Sequence, residues 1–277
     1  MKESLPILEV EHLCVEYFNQ QSSTMAVKDV SFHLCEGEVL GIVGESGSGK
    51  STIAFSIINL LNKGYARITN GSIKYKGTDL VQLNHKLLKN YRGKEISMIF
   101  QNPASALDPV YTIGSQIVEK IRIHSNLSKK EAKIKAIELL EKVGIDNPKE
   151  RYHQYPHEFS GGMQQRVLIA IAIACSPKII IADEPTTALD VITQHNILQL
   201  LSDICEEYHM SVIFITHDMG VVAQFCDRMI VMRKGEVVEQ GDCEDIFYNP
   251  KELYTQKLLA AIPKVNEKQE WLLGVNA

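Results

Sequence analysis

Nothing in the 277 residues of this chain is apolar for long enough to cross a membrane. The most apolar stretch, "VLIAIAIAC" from Val167 to Cys175, runs into Ser176-Pro177, well short of the roughly 20 residues a spanning helix needs. Work at a membrane would therefore require other chains for the membrane part. The opening residues "MKESLPILEV" hold no apolar core of signal-peptide length. A basic excess is missing as well: a net charge of −5 leaves no electrostatic footprint for nucleic acid, and no such partner is expected. Six cysteines, at 14, 35, 175, 205, 226 and 243, include no Cys-x-x-Cys and no dense His/Cys spacing. That argues against a zinc site and reads as reduced, mostly buried thiols. Repeats and low-complexity tracts are absent too. What remains, 45% hydrophobic and 23% charged, is the composition of one globular unit with a sizeable core.

The pattern along the chain is α/β. "ILEVEHLCVEYF" and "MAVKDVSFHL", separated by the polar stretch 19–24, alternate like antiparallel strands of a small sheet. "VLGIVG", Val39 to Gly44, reads as a buried strand entering a Gly-rich turn, with a helix expected from about Ser51 to Leu61. Further apolar runs at Ile96–Phe100, Lys178–Asp183, Val212–Thr216 and Arg228–Met232 imply a mostly parallel sheet covered on both faces. Between Pro103 and Phe159 helical periodicity takes over. Ser128 and Glu131 form a capping box there, and Ala136, Ile137, Leu140 and Val143 make an apolar face that stops at Gly144. Another helix is expected in "KELYTQKLLAAI" near the end.

Two segments suit phosphate, and they differ in design. "GESGSGKS", Gly44 to Ser51, fits G-x-x-x-x-G-K-[ST] in full. Its glycines let Glu45, Ser46, Gly47, Ser48 and Gly49 wrap phosphate with backbone N–H groups, Lys50 supplies a point charge, and the Ser51 hydroxyl can ligate Mg²⁺. "FSGGMQQR", Phe159 to Arg166, instead puts Ser160, Gly161 and Gly162 at the start of a helix, whose N-terminus attracts anions. "IIIADEP" sets Asp183 and Glu184 at the carboxyl edge of the sheet. There Asp183 can hold Mg²⁺ through water and Glu184 can accept a hydrogen bond from an attacking water. A solvated acidic turn before Pro185 is the plain alternative.

Taken together, "GESGSGKS", "FSGGMQQR", "IIIADEPTTALD" and "FITHD" resemble, in order and spacing over nearly the whole chain, the nucleotide-binding subunit of an ABC transporter. The resemblance implies a P-loop ATPase core with an N-terminal antiparallel β subdomain. It also implies an ATP-binding domain over 5–256, an inserted helical subdomain over about 103–165 and a short tail over 257–277. It implies further that Tyr17 stacks on adenine, that Thr52 joins the nucleotide contacts and that Gln101 senses Mg²⁺ and the attacking water. His217 would contact the γ-phosphate, and Asp190, ending "ALD", would cross-talk with a second subunit. Taken singly, Tyr17 is equally a strand aromatic and His217 an ordinary hydrogen-bonded histidine. The resemblance also assigns the second phosphate segment: "SGG" of one subunit closes over ATP held by the phosphate loop of another. Met163 stands where many relatives have glutamine.

Longer matches, "MIFQNPASALDPVYTIGSQI" and "NPKELYTQKLLAAIP" among them, resemble the first ATP-binding subunit of the peptide and nickel importers. That branch implies di- or oligopeptide cargo, ATP and Mg²⁺, and a place on the cytoplasmic face of the membrane. Its implied partners are a second, different ATP-binding subunit, two transmembrane permease subunits and an extracellular solute-binding protein. Many members carry a longer, cysteine-bearing tail, whereas no cysteine follows Cys243 here. Nickel or metallophore import therefore stays open beside peptides. A soluble ABC protein of DNA repair or translation would usually bring two cassettes or a long coiled coil, and a P-loop kinase or GTPase would lack "SGG".

Overall fold

The computed structural model describes residues 6–19, 22–187 and 189–261. Strands β1 (Pro6–Phe18) and β2 (Ser23–Cys35) pair antiparallel, as their alternation predicts. Strand β3 (Val39–Val43) leads through the Gly-rich turn into helix α1 (Lys50–Ile57). The helix stops short of Leu61 because Ile58 caps it and Asn59 turns left-handed at φ 50°. Strands β4 (Ala66–Tyr75) and β5 (Thr78–Asp79), which apolar pattern did not reveal, complete a four-stranded sheet in the order β2-β1-β4-β5. Helix α2 (His85–Leu88) then precedes strand β6 (Ile96–Ile99).

The segment after β6 is helical. It runs through α3 (Pro103–Ala106), α4 (Ile113–His124), α5 (Lys129–Lys142), α6 (Pro148–Arg151), a 3₁₀ turn at Pro156–Glu158 and α7 (Gly161–Ile173). The Ser128–Glu131 capping box starts α5, and Gly144 lies just beyond its end at φ 74°. The chain finishes through β7 (Ile179–Asp183), α8 (Val191–Tyr208), β8 (Ser211–Thr216), α9 (Met219–Phe225), β9 (Arg228–Arg233), β10 (Glu236–Asp242), α10 (Cys243–Tyr248) and α11 (Leu253–Ala260).

Six strands form the large sheet, in the order β10-β9-β3-β8-β7-β6, parallel throughout except for β10 against β9. Its central strands feed two cores by simple alternation. Ile179 and Ile181 of β7, with Ile213 and Ile215 of β8, face a core shared with β1, β2 and the α1 residues Ile53 and Ile57. Ile180, Ala182, Val212 and Phe214 face the other way, into a core built by α4, α5, α7 and α8. The sheet is thus covered on both faces, one of them largely by another sheet. A fully buried isoleucine is worth about 1.5–3 kcal/mol, so these four strand positions per core fix the layering. A third core joins Val43, Met229 and Val231 to α9, α10 and α11. The cysteines are all free thiols, Cys205 and Cys243 buried and the other four half-buried, with none exposed.

Candidate nucleotide-binding site

Strand β3 ends at the carboxyl edge of the sheet and delivers the phosphate loop there. Gly44 (φ 150°) and Gly49 (φ 105°) hold backbone shapes that side chains rarely adopt, and neither has room for one. A Cβ on Gly44 would sit 2.2 Å from the Met232 carbonyl, and one on Gly49 would sit 2.5 Å from the Ala26 carbonyl. Gly49 precedes α1 without a side-chain cap, so the first N–H groups of that helix stay free for an anion. The cleft beside the loop, about 370 Å³, is walled by Ser46, Gly47, Gly49, Lys50, Ser51 and Thr52, with Gln101, Glu184 and Ala26 from other elements. Ser48 Oγ is buried without a hydrogen-bond partner among the described residues. Lys50 Nζ donates to the carbonyls of Gly44 (2.7 Å) and Glu45 (3.0 Å). Burial pulls its pKa below the ordinary lysine value, with Glu184 and Asp183 partly opposing.

The end of β7 brings the carboxylates. Asp183 is buried, and its Oδ1 accepts from Ser51 Oγ at 3.0 Å. Burial pushes the Asp183 carboxyl upward, against the lowering effect of the Ser51 hydrogen bond. Glu184 follows in the left-handed region at φ 45°, its N–H donated to the Ile215 carbonyl at 2.9 Å. A non-glycine residue so placed costs about 1–3 kcal/mol and is held by its surroundings. Its Oε2 accepts from Gln101 Nε2 (2.8 Å) and Thr187 Oγ1 (2.9 Å), while His217 Nδ1 lies 3.4 Å from Oε1. Gln101, Glu184 and His217, from three separate elements, therefore meet as one cluster next to the phosphate loop.

Ser51 and Asp183 offer oxygen donors of the kind Mg²⁺ prefers. Among the described residues no group of three or more His, Cys, Asp and Glu could hold a metal alone, so the remaining ligands would have to come from phosphate and water. The Gln101 amide nitrogen is tied to Glu184. Tyr17 is 38% exposed and lies outside the cleft wall, in the second ladder pair beyond the bulge that holds Ala26.

A second cleft of about 370 Å³ surrounds the start of α7 and shares no residue with the first. Ser160 caps the helix by accepting the Met163 N–H at 3.4 Å, and the Met163 side chain packs against the helical core. The two glycines differ. A Cβ on Gly162 would meet Thr193 Cγ2 at 2.6 Å, whereas one on Gly161 would meet only Leu189 Cδ2, at an ordinary 3.7 Å. The fold is therefore tight at 162, where Thr193 would have to shift for any side chain, and open at 161. Asp190 caps α8, accepting from Thr193 N (2.9 Å) and Thr193 Oγ1 (2.6 Å), bonds that hold its carboxyl below the usual range. Sequence reasoning missed this capping, whose signal was Asp190 just ahead of the helical run, and it missed Thr187 as a support of Glu184, whose signal was the paired threonines of "DEPTTALD".

Comparison with known proteins agrees with this geometry. The ABC transporter family profile matches residues 27–187, and the profile of the oligopeptide/dipeptide transporter C-terminal region matches residues 238–276. The chain is 48% identical over 264 residues to the oligopeptide transport ATP-binding protein OppD of Bacillus subtilis, covering 95% of this chain and 74% of that one. It is 48% identical over 275 residues to AmiE, an oligopeptide transport ATP-binding protein of Streptococcus pneumoniae, covering 99% and 77%. Its structure is similar to a dimeric post-hydrolysis state of the ATP-binding cassette MJ0796 bound to ADP and Pi, with TM-score 0.76, 31% identity, and 85% and 98% of the two chains covered. The chain belongs to the ABC transporter family and carries its ATP-binding, ATP-hydrolysing cassette.

Proposed function

We propose that this chain hydrolyses ATP to drive import of di- and oligopeptides. In this reading it works on the cytoplasmic face of a cell membrane, beside a second and different ATP-binding subunit, two transmembrane permease subunits and an extracellular solute-binding protein. The observation that carries the reading is the separation of two phosphate-seeking clefts in one chain, one holding Lys50 and Ser51, the other Ser160 and Gly161. Each is half of a site, and a partner subunit completes both. Likeness over 238–276 to a peptide-transporter C-terminal region supports peptides as cargo.

In the reaction, Tyr17 stacks on the base, and the N–H groups of Ser46, Gly47 and residues 49–52 orient the triphosphate, those of Glu45 and Ser48 being engaged within the fold. Lys50 moves from the Gly44 and Glu45 carbonyls to the phosphates. Ser51 and Asp183, with Gln101 contributing, would hold Mg²⁺, which would offset phosphate charge when bound. Glu184 orients the attacking water and accepts its proton. Gln101 and Thr187 fix the carboxylate for that step, and His217 turns toward the γ-phosphate. Ser160, Gly161, Gly162 and Met163, with Asp190 beside them, close over the partner's nucleotide. We assign the ATP-binding unit to 5–256, its helical subdomain to about 103–165 and a tail to 257–277, of which 262–277 lie outside the described residues. A cleft of about 710 Å³ between β6 and α4, bordered by Met98, Phe100, Glu119 and Ile123, receives the permease.

The test is reconstitution of the assembled complex in vesicles. Mg²⁺-dependent ATP hydrolysis coupled to uptake of labelled peptide is expected. Uptake of a nickel chelate instead would overturn the cargo, and absence of hydrolysis would overturn the enzyme.

A further inference from the structure

The phosphate loop is braced from below by the last quarter of the chain. Gly235, in the turn between β9 and β10, donates its N–H to the Ser48 carbonyl at 3.0 Å and accepts the Lys28 N–H at 2.8 Å. That turn has no room for a side chain, since a Cβ on Gly235 would lie 2.8 Å from the Ala26 carbonyl. At the other end of the loop stands Tyr254 of α11, only 8% exposed. Its Oη accepts the Glu45 N–H at 3.4 Å. The Arg233 guanidinium covers the Tyr254 ring, 4.7 Å from its centroid. Helix α11 is itself fastened, because the Lys251 and Glu252 N–H groups donate to the Glu239 carboxylate at 2.8 and 3.2 Å. An unbroken line of contacts thus runs from β10 through α11 to the loop.

The Glu45 peptide is held on both sides: Tyr254 takes its N–H, and Lys50 Nζ binds its carbonyl at 3.0 Å. If the loop binds ATP as proposed above, Lys50 must leave that carbonyl to reach phosphate. Only the Ser48 N–H then remains on the Glu45 carbonyl, at 3.1 Å. A loop that binds anions through its backbone works only while its N–H groups stay aimed inward, so its first turn needs an anchor that does not move with the lysine. We propose that Tyr254 is that anchor, a positioning residue whose hydroxyl holds the Glu45 peptide while Lys50 transfers from the loop carbonyls to the nucleotide. The C-terminal region is then part of the nucleotide site without touching the nucleotide.

Tyr254→Phe removes only the hydroxyl and keeps the ring beneath Arg233. Losing one net hydrogen bond should weaken ATP binding about threefold to tenfold, while kcat at saturating ATP stays within about twofold. Leu258→Ala, on the same helix and packed against the third core, serves as the comparison. It should lower the melting temperature and leave ATP affinity unchanged. An unaltered ATP Kd in Tyr254→Phe, or equal weakening by Leu258→Ala, overturns the inference. Failure of the wild-type protein to bind ATP would instead remove the proposed function and this inference with it.

Discussion

Substituting Gly161 by aspartate separates a site used by its own chain from one used by a neighbour. Within the chain the change is benign. The new Cβ meets only Leu189 Cδ2 at 3.7 Å, and the carboxylate enters the first turn of α7, where a negative charge is worth about 0.3–1 kcal/mol in favour. The variant should melt no lower than wild type. The loop cleft shares no residue with the α7 cleft, so ATP affinity of the isolated subunit should stay within about twofold. In the assembled complex the same carboxylate would face a γ-phosphate from the partner. Two like charges about 4 Å apart at an effective dielectric near 20 repel by about 4 kcal/mol, which lowers closed-state affinity on the order of a thousandfold. Equilibrium ATP binding to the isolated variant, melting curves, and photolabelling of each subunit in the complex read these quantities separately. A folded variant subunit that has lost ATP binding would refute the argument, because the two clefts would then serve one nucleotide.

Lys50→Ala should abolish most ATP affinity, whereas Glu184→Gln should retain it and slow hydrolysis by roughly 10²–10⁴-fold; turnover within about threefold of wild type in Glu184→Gln would reject Glu184 as the base. Glu119→Lys, an exposed charge reversal in the large cleft, should cut uptake while ATP hydrolysis continues, as compared in vesicles and in detergent. Lys120 lies in that cleft with its Nζ on Ser97 Oγ at 3.3 Å, in no ion pair among the described residues, and burial holds its pKa below the ordinary 10.5. The unfolded chain then binds more protons between the lowered value and 10.5, so stability should rise with pH across that window. Lys120→Met should raise the neutral-pH melting temperature and flatten the rise; an unchanged slope in pH-dependent melting would reject it.

Much of this architecture was legible because its signals are local. An apolar strand, a Gly-rich turn and a helix occupy consecutive residues, and the capping box at Ser128 lies within one turn. Strands β4 and β10 escaped for physical reasons. Much of β4 is exposed or half-buried and broken by Gly71, and β10 has no fully buried residue, so neither carries the alternation that marks a strand. The end of α1 depended on one left-handed asparagine, Asn59, which apolar spacing cannot register. In the site, motif residues announce themselves while their supports do not. Asp190 reads as a communicator and folds as a cap, and Tyr254 reaches Glu45 across 209 positions. Contacts of that separation leave no periodicity to read.

The alternation of β7 and β8 between two cores has a consequence for how the molecule opens. Neither strand can leave the sheet without flooding both compartments, whereas α4 and α5 line only one. Amide hydrogens in Ile179–Asp183 and Ser211–Thr216 should therefore exchange with solvent deuterium only through global unfolding, while those of α4 and α5 escape earlier through partial opening. The helical layer can loosen and re-form many times while the carboxylate-bearing strand ends stay in register. Motion in the helical layer is in this way kept apart from the geometry that holds Glu184.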